Sequence, residues 1–217
     1  MKYISIDIET TGLDPVNDQI LEFAAILEDT NSKEIYDLDG LHSFEAIFAY
    51  ERLVGNPYAL SLNKRLLEIM VKYYGLKRKG TQNAEFVKYK KENNIYEITD
   101  KNSYIPFIEE FEEFLYYSGY LSYSGKKLAV NPAGKNYGSF DGQFLKNIGL
   151  YDVVPIKQRS IDPAILYVDW ENDNQLPSLE KCKERAGLKD VEVTHKAIDD
   201  AWDVIRILRK QYVKQSS

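Results

Sequence analysis

The sequence is poor in cysteine: 217 residues hold one, Cys182. A lone cysteine closes no intramolecular disulfide, so nothing in the chain asks for an oxidising compartment. It also excludes a zinc–thiolate site built within one chain. Its expected role is an inert, partly buried helix residue. A basic excess is lacking too, since 28 Lys and Arg face 34 Asp and Glu for a formal net charge of −6. That balance argues against a protein that grips long duplexes through a basic surface. It leaves room for an acidic site neutralised by metal and for a short substrate. No apolar run approaches membrane-spanning length, and the first expected strand begins at residue 3, with no space for a signal peptide. A cytoplasmic protein without a membrane partner is expected. Internal repeats are absent. What remains is 44% hydrophobic and 29% charged, ordinary for a folded chain of one-domain length.

The opening stretch, Lys2 to Pro15, carries the sharpest pattern. Ile4, Ile6 and Ile8 alternate with Tyr3, Ser5, Asp7 and Glu9, the period of a strand. Residues i and i+2 share a face roughly 7 Å apart, so Asp7 and Glu9 stand side by side at the strand's end. Thr10, Thr11 and Gly12 break the strand. Two carboxylates on one face repel unless a cation lies between them, and a divalent ion is the usual answer. A polar strand edge in water is the plainer alternative, and the pair alone does not choose.

Further along, Gln19–Glu28 reads as a buried second strand and Glu34–Ala49 as a third. A helix is expected from Pro57 to Gly75. Leu76–Tyr104 differs in kind, with seven Lys and Arg against four acids and with Phe86, Tyr89, Tyr96 and Tyr104 interleaved. Cations mixed with aromatics can follow a single strand of nucleic acid; a solvated insertion is the more ordinary reading. Pro106 starts a helix through Leu115. The Tyr-, Ser- and Gly-rich patch Tyr116–Gly125 is too short for a domain linker. Leu128–Val130 and Ile156–Ile161 are expected as the fourth and fifth strands. Helices follow over Ser139–Ile148, over Ser178–Ala186 with Ser178 as cap, and over Lys196–Tyr212. Three strands followed by alternating helices and strands give an α/β class, a mixed sheet covered on both faces. Trp170 and Trp202 are expected to pack rather than bind.

Two more acids stand in suggestive places. Asp141 follows a glycine-rich turn at a helix start, and Asp200 opens the last helix with His195 five residues ahead. On a regular helix that offset turns the side chains roughly 140° apart. His195 is therefore expected in the connecting loop, above a site whose floor holds Asp200. Singly, an Asp at a helix start is usually a cap or dipole partner. Asp199 beside Asp200 leaves an ambiguity that helical phase does not resolve.

In order, the segments DIETTGLD, NYGSFDGQFL, RSIDPAIL and LPSLEKCKERAG…HKAIDDAW resemble the signature segments of the DEDDh superfamily of 3′–5′ exonucleases, which includes proofreading domains, ribonuclease T and oligoribonuclease. The resemblance runs from Ile4 to Leu208 and is weakest over residues 76–104. It implies a ribonuclease H-like mixed five-stranded sheet with helices on both faces. It also implies one exonuclease domain over residues 1–217, with a basic and aromatic insertion at about 76–104. Asp7, Glu9, Asp141 and Asp200 would hold two divalent ions, Mg²⁺ or Mn²⁺, and His195 would be the general base. Thr10, Thr11, Gly12 and Leu13 would hold the terminal nucleotide, as would Asn136. The chain departs from the family at Lys135, where a histidine often precedes that asparagine, and the segment is one residue longer. The partner implied is single-stranded DNA or RNA with a free 3′ end. A catalytically inactive binding module on the same fold is the alternative. Oligomeric state is not legible in the sequence.

Overall fold

A computed structural model describes residues 1–32, 34, 36–121, 129–192 and 194–213. Its centre is a five-stranded sheet in the order β4-β3-β2-β1-β5. The strands are β1 (Lys2–Thr10), β2 (Ile20–Asp29), β3 (Ser43–Tyr50), β4 (Ile95–Ile98) and β5 (Pro132–Ala133). β1, β2 and β3 form an antiparallel meander, whereas β4 and β5 add in parallel to the outer strands. The sheet is mixed and the class is α/β, the ribonuclease H-like arrangement implied by the sequence.

The period-two pattern of β1 divides two cores. Ile4, Ile6 and Ile8 face an aromatic cluster of Phe23, Phe44, Phe48, Phe107 and Phe111. On this side lie α2 (Lys64–Lys79) and α4 (Ile105–Tyr117), whose Leu66, Met70, Tyr73, Phe107, Ile108 and Phe111 are buried. Edge-to-face pairs such as Phe23 with Phe107, 5.0 Å between centroids, add specificity to the apolar burial. The other face of β1 carries Tyr3, which joins Ala24, Ile26, Ala197, Ala201, Val204 and Ile205 under α8 (Ala197–Tyr212). Small alanines let α8 lie close to the sheet, and the buried Ser5 hydroxyl donates to the Ala201 carbonyl at 2.8 Å. The residues after Ser5 on this face are Asp7 and Glu9, so β1 delivers both acids to the α8 side.

Several expected elements moved. The helix from Pro57 is broken at Asn63 into α1 (Pro57–Leu62) and α2, and α2 passes through the exposed Gly75 to Lys79. The third strand starts only at Ser43, after a short turn of 3₁₀ helix at Leu38–Gly40. Ile156–Ile161 is not a strand: only Ile156 and Ile161 bridge, to Val130 and Ala133. Its charged and polar interior gives neither face anything to bury, and Pro132 lacks a ladder donor. The outer strand on the other side, β4, comes from the basic segment, together with α3 (Ala84–Glu92). Leu128 and the last four residues of the Tyr-, Ser- and Gly-rich patch lie outside the described residues. The smaller helices α5 (Asp141–Asn147), α6 (Leu150–Val153) and α7 (Leu179–Arg185) fall where the sequence places helical segments or next to them, and Ser178 caps α7 by accepting from the Lys181 N–H. No helix among the described residues is long and apolar enough to cross a membrane.

Candidate active site

Asp7 and Glu9 lie at the C-terminal end of β1, and the register with β2 slips between Glu9 and Thr10. That irregularity ends the ladder beside the acids and re-aims the chain. Asp141 is the first residue of α5 and is 3% exposed. Its Oδ1 accepts from the Ile8 N–H at 3.1 Å, between the two acids of β1 in sequence. The turn before it uses Asn136 in the left-handed region, φ 60°, which asparagine tolerates better than most residues. Asp200 lies in the first turn of α8, 6% exposed, and its Oδ1 is buried without a hydrogen-bond partner among the described residues. Asp199 accepts from the Thr194 hydroxyl at 3.1 Å, whereas Asp200 is the one of the two that lies beside Glu9 and His195. His195 precedes α8, exposed, at φ 52°. Ligand-capable atoms of Glu9, His195 and Asp200 lie within 4.8 Å of one another.

The electrostatics of this group are those of an overfilled anion site. Asp7 is half-buried by area, yet protein atoms surround its carboxylate. That desolvation, followed by repulsion from Asp141, Asp200, Glu9 and Glu22, holds its pKa well above the carboxylate range. Burial pushes Glu9 up to about 7, against relief from the Asn63 amide and with further repulsion from Glu22. Asp141 reaches about 7, chiefly through burial and despite hydrogen bonds from backbone N–H groups. Asp200 reaches about 7 through burial, then repulsion from Glu9 and Asp203, with Lys183 offsetting part. Four carboxyls so placed favour protons or cations over water. Oxygen donors of this kind suit hard divalent ions, and the unpartnered Asp200 Oδ1 is an acceptor in need of one. The residues present fit the metal site that the resemblance implies.

The substrate-side residues divide. Thr10 and Thr11 are buried, and their hydroxyls serve the loop itself: Thr10 Oγ1 donates to the Gly12 carbonyl at 2.6 Å, and Thr11 Oγ1 accepts from the Gln19 N–H at 2.9 Å. A Cβ on Gly12 would lie 2.2 Å from the Asp18 carboxylate, so a side chain there would displace the group that accepts from the Asp14 N–H. Leu13 projects outward, 83% exposed. Asn136 is exposed at the head of the α5 turn, its N–H bound to Asp162 and its Oδ1 accepting from Lys135.

The rings of the basic segment are partly or fully covered by the protein. Phe86 and Tyr104 are buried, the Tyr89 ring lies under Lys72, and the Tyr96 hydroxyl donates to Glu110. Trp170 corrects another expectation: it is 79% exposed rather than packed, while Trp202 lies against the α8 core with Arg209 over its ring. Cys182 is fully buried on α7.

Sequence reasoning missed three members of the site. Glu22, directly across from Glu9 in the β1–β2 register, is 2% exposed and accepts from Arg65 at 2.5 Å and from the Ala197 N–H at 3.1 Å. It thereby fixes the start of α8. Asn63, at the break between α1 and α2, donates to the Thr10 carbonyl at 3.2 Å. The available signal was Glu22 itself, a carboxylate inside the apolar run ILEFAAIL; Asn63 and Arg65 carried none.

No family model and no curated protein matches the chain. Solved structures do. It is similar to E. coli Exonuclease I in complex with a dT13 oligonucleotide, at 18% identity and a TM-score of 0.56 over 97% of this chain and 41% of that one. The zinc-ion-bound E. coli Exonuclease I–single-stranded DNA complex gives 15% identity and a TM-score of 0.54, over 97% and 41%. A product-bound exonuclease I gives 14% and 0.53, over 96% and 42%. The chain thus spans about two fifths of the length of these structures, and the likeness is one of fold. It agrees with the exonuclease resemblance read from the sequence.

Proposed function

We propose that the chain is a metal-dependent 3′–5′ exonuclease acting on single-stranded DNA or RNA and releasing nucleoside 5′-monophosphates, with residues 1–217 as one catalytic domain. The observation that carries this reading is the convergence of Asp7, Glu9, Asp141 and Asp200, from β1, α5 and α8, with His195 beside them. The fold likeness to exonuclease I, solved with oligonucleotides and in one case with zinc, supports it.

Two divalent ions, Mg²⁺ or Mn²⁺, would supply charge neutralisation at phosphorus and at the attacking and leaving oxygens. Asp7, Glu9, Asp141 and Asp200 would hold these ions. Histidine suits the general base because its unperturbed pKa near 6.5 lets it accept a proton close to neutrality. In this assignment a water loses its proton to the imidazole and its oxygen bonds to phosphorus. The bond from phosphorus to the penultimate nucleotide's 3′ oxygen breaks, and that oxygen is protonated to a new 3′ hydroxyl. Leu13 would pack on the terminal base. Backbone groups of Thr10, Thr11 and Gly12 would line the sugar side, and Asn136 the opposite wall.

The test is a gel assay with Mn²⁺ on 5′-end-labelled single-stranded DNA and RNA, with the released product identified by chromatography. Stepwise shortening and a 5′-monophosphate product are expected. His195→Ala should bind Mn²⁺ and oligonucleotide but turn over at least a hundredfold more slowly. A wild-type preparation that binds oligonucleotide and leaves every 3′ end intact would show an inactive binding module instead.

A further inference from the structure

The turn that carries His195 has little to hold it by packing. Of its described residues from Asp190 to Lys196, none is buried. His195 itself adopts φ 52°, a left-handed backbone that is unfavourable for a non-glycine residue and persists only where the surroundings impose it. Such a turn must be fixed by hydrogen bonds. Downstream, Glu22 accepts from the Ala197 N–H, and Asp199 accepts from the Thr194 hydroxyl. Upstream, Arg206 donates to both carboxylate oxygens of Asp190 at 2.6 Å, and nearer His195 there is Lys183.

Lys183 projects from α7 and is 2% exposed. A buried ammonium is costly unless paired and hydrogen-bonded. It forms an ion pair with Asp203 of α8, itself 5% exposed, and donates to the Glu192 carbonyl at 2.8 Å. Asp203 is held in turn by Arg206, which donates to it at 2.9 Å. One buried cation therefore joins α7, α8 and the backbone three residues before His195. Asp203 follows Asp200 on α8 by three residues, so the same pair is tied to the helix turn that presents the metal-facing acid.

Resting on the exonuclease reading above, we infer that Lys183, fixed by Asp203, is a positioning residue for His195. It tethers the upstream end of the turn so that the imidazole is held over Glu9 and Asp200. Its contribution is to turnover, through the base, and not to holding metal or nucleic acid.

The paired replacement Lys183→Met with Asp203→Leu tests this, because exchanging a buried ion pair for apolar residues of similar size often leaves stability unchanged, while it removes the tether to Glu192. Hydrogen exchange by mass spectrometry should show amides of residues 191–196 exchanging at least fivefold faster, with α8 unchanged. With Mn²⁺ and a single-stranded oligonucleotide, kcat should fall at least tenfold while KM and Mn²⁺ affinity stay within twofold. In a His195→Ala background the same pair should cost less than twofold, since groups acting as one unit are not additive. Unchanged exchange, an unchanged kcat, parallel loss of KM or metal affinity, or equal losses in both backgrounds would each overturn the inference. If the pair fails to fold, Asp203→Asn, which keeps the shape and loses the charge, is read by the same criteria with a threefold loss of kcat expected. A wild-type enzyme that hydrolyses nothing refutes the exonuclease reading instead, and the exchange measurement then still judges the tether.

Discussion

Removing divalent metal and raising the pH should destabilise this protein, and the structure sets the size of the effect. Asp141 and Asp200 have folded-state pKa values of about 7, roughly three units above the ordinary aspartate value. Glu9 also reaches about 7. A group whose folded pKa is raised keeps its proton in the folded state where the unfolded chain has lost it. For a carboxyl this means stability falls as pH rises from about 4 through 7, then levels. One pKa unit corresponds to 1.36 kcal/mol, so one such aspartate accounts for about 4 kcal/mol. The acids repel one another, and a proton kept by one relieves the rest, so the total stays nearer one such contribution than three. Between pH 5 and 8 that is of order 3 kcal/mol, or about 10 °C in Tm for a chain of this size. Asp190, held down to about 2 chiefly by its hydrogen bond from Arg206, acts below this window. Thermal unfolding in EDTA across pH 5–8 measures the slope. Millimolar Mn²⁺ should erase it, stabilising strongly at pH 8 and little at pH 5, where protons compete for the same oxygens. A Tm in EDTA that is flat or rises across this range, or an equal Mn²⁺ effect at both ends, would refute the claim that these four carboxyls share one desolvated site.

Other substitutions separate the parts. Asp200→Asn removes one repelling charge, so the metal-free protein at pH 8 should gain about 1–3 kcal/mol by urea unfolding while hydrolysis falls at least a thousandfold; a destabilised variant would contradict the electrostatics. Leu13→Ala should raise the oligonucleotide KM about tenfold and leave Mn²⁺ binding by calorimetry unchanged, because the side chain is exposed and carries no metal-ligating atom; equal loss of both would count against its packing on a base. Gly55→Ala should cost about 1–3 kcal/mol and raise KM, since the new Cβ would come within 2.3 Å of the Thr11 side chain and press on the loop before Leu13; an unaltered unfolding curve would show that the loop gives way freely.

How much of this was legible in the chain depends on the range of the forces involved. The alternation of β1 puts Asp7 and Glu9 on one face from sequence alone, because strand periodicity is set by neighbouring residues. The cap at Ser178 is local in the same way. The choice of Asp200 over Asp199 was not, since both occupy the first turn and only the sheet beneath α8 and the Thr194 hydroxyl tell them apart. β4 was hidden because its residues look solvated in sequence and acquire a role only by pairing with β3, about fifty residues earlier in the chain. Ile156–Ile161 looked like a strand and lacked a partner ladder. Trp170 looked like core and found none. Glu22 and Lys183 are the clearest cases: each is a charge whose burial is tolerable only because Arg65 or Asp203 arrives from a distant segment. The local order of residues therefore determined which carboxylates exist and which way the first two point. Tertiary packing alone decided that all four meet, that water is largely kept from them, and that a turn with no buried residue among its described ones holds a histidine beside them.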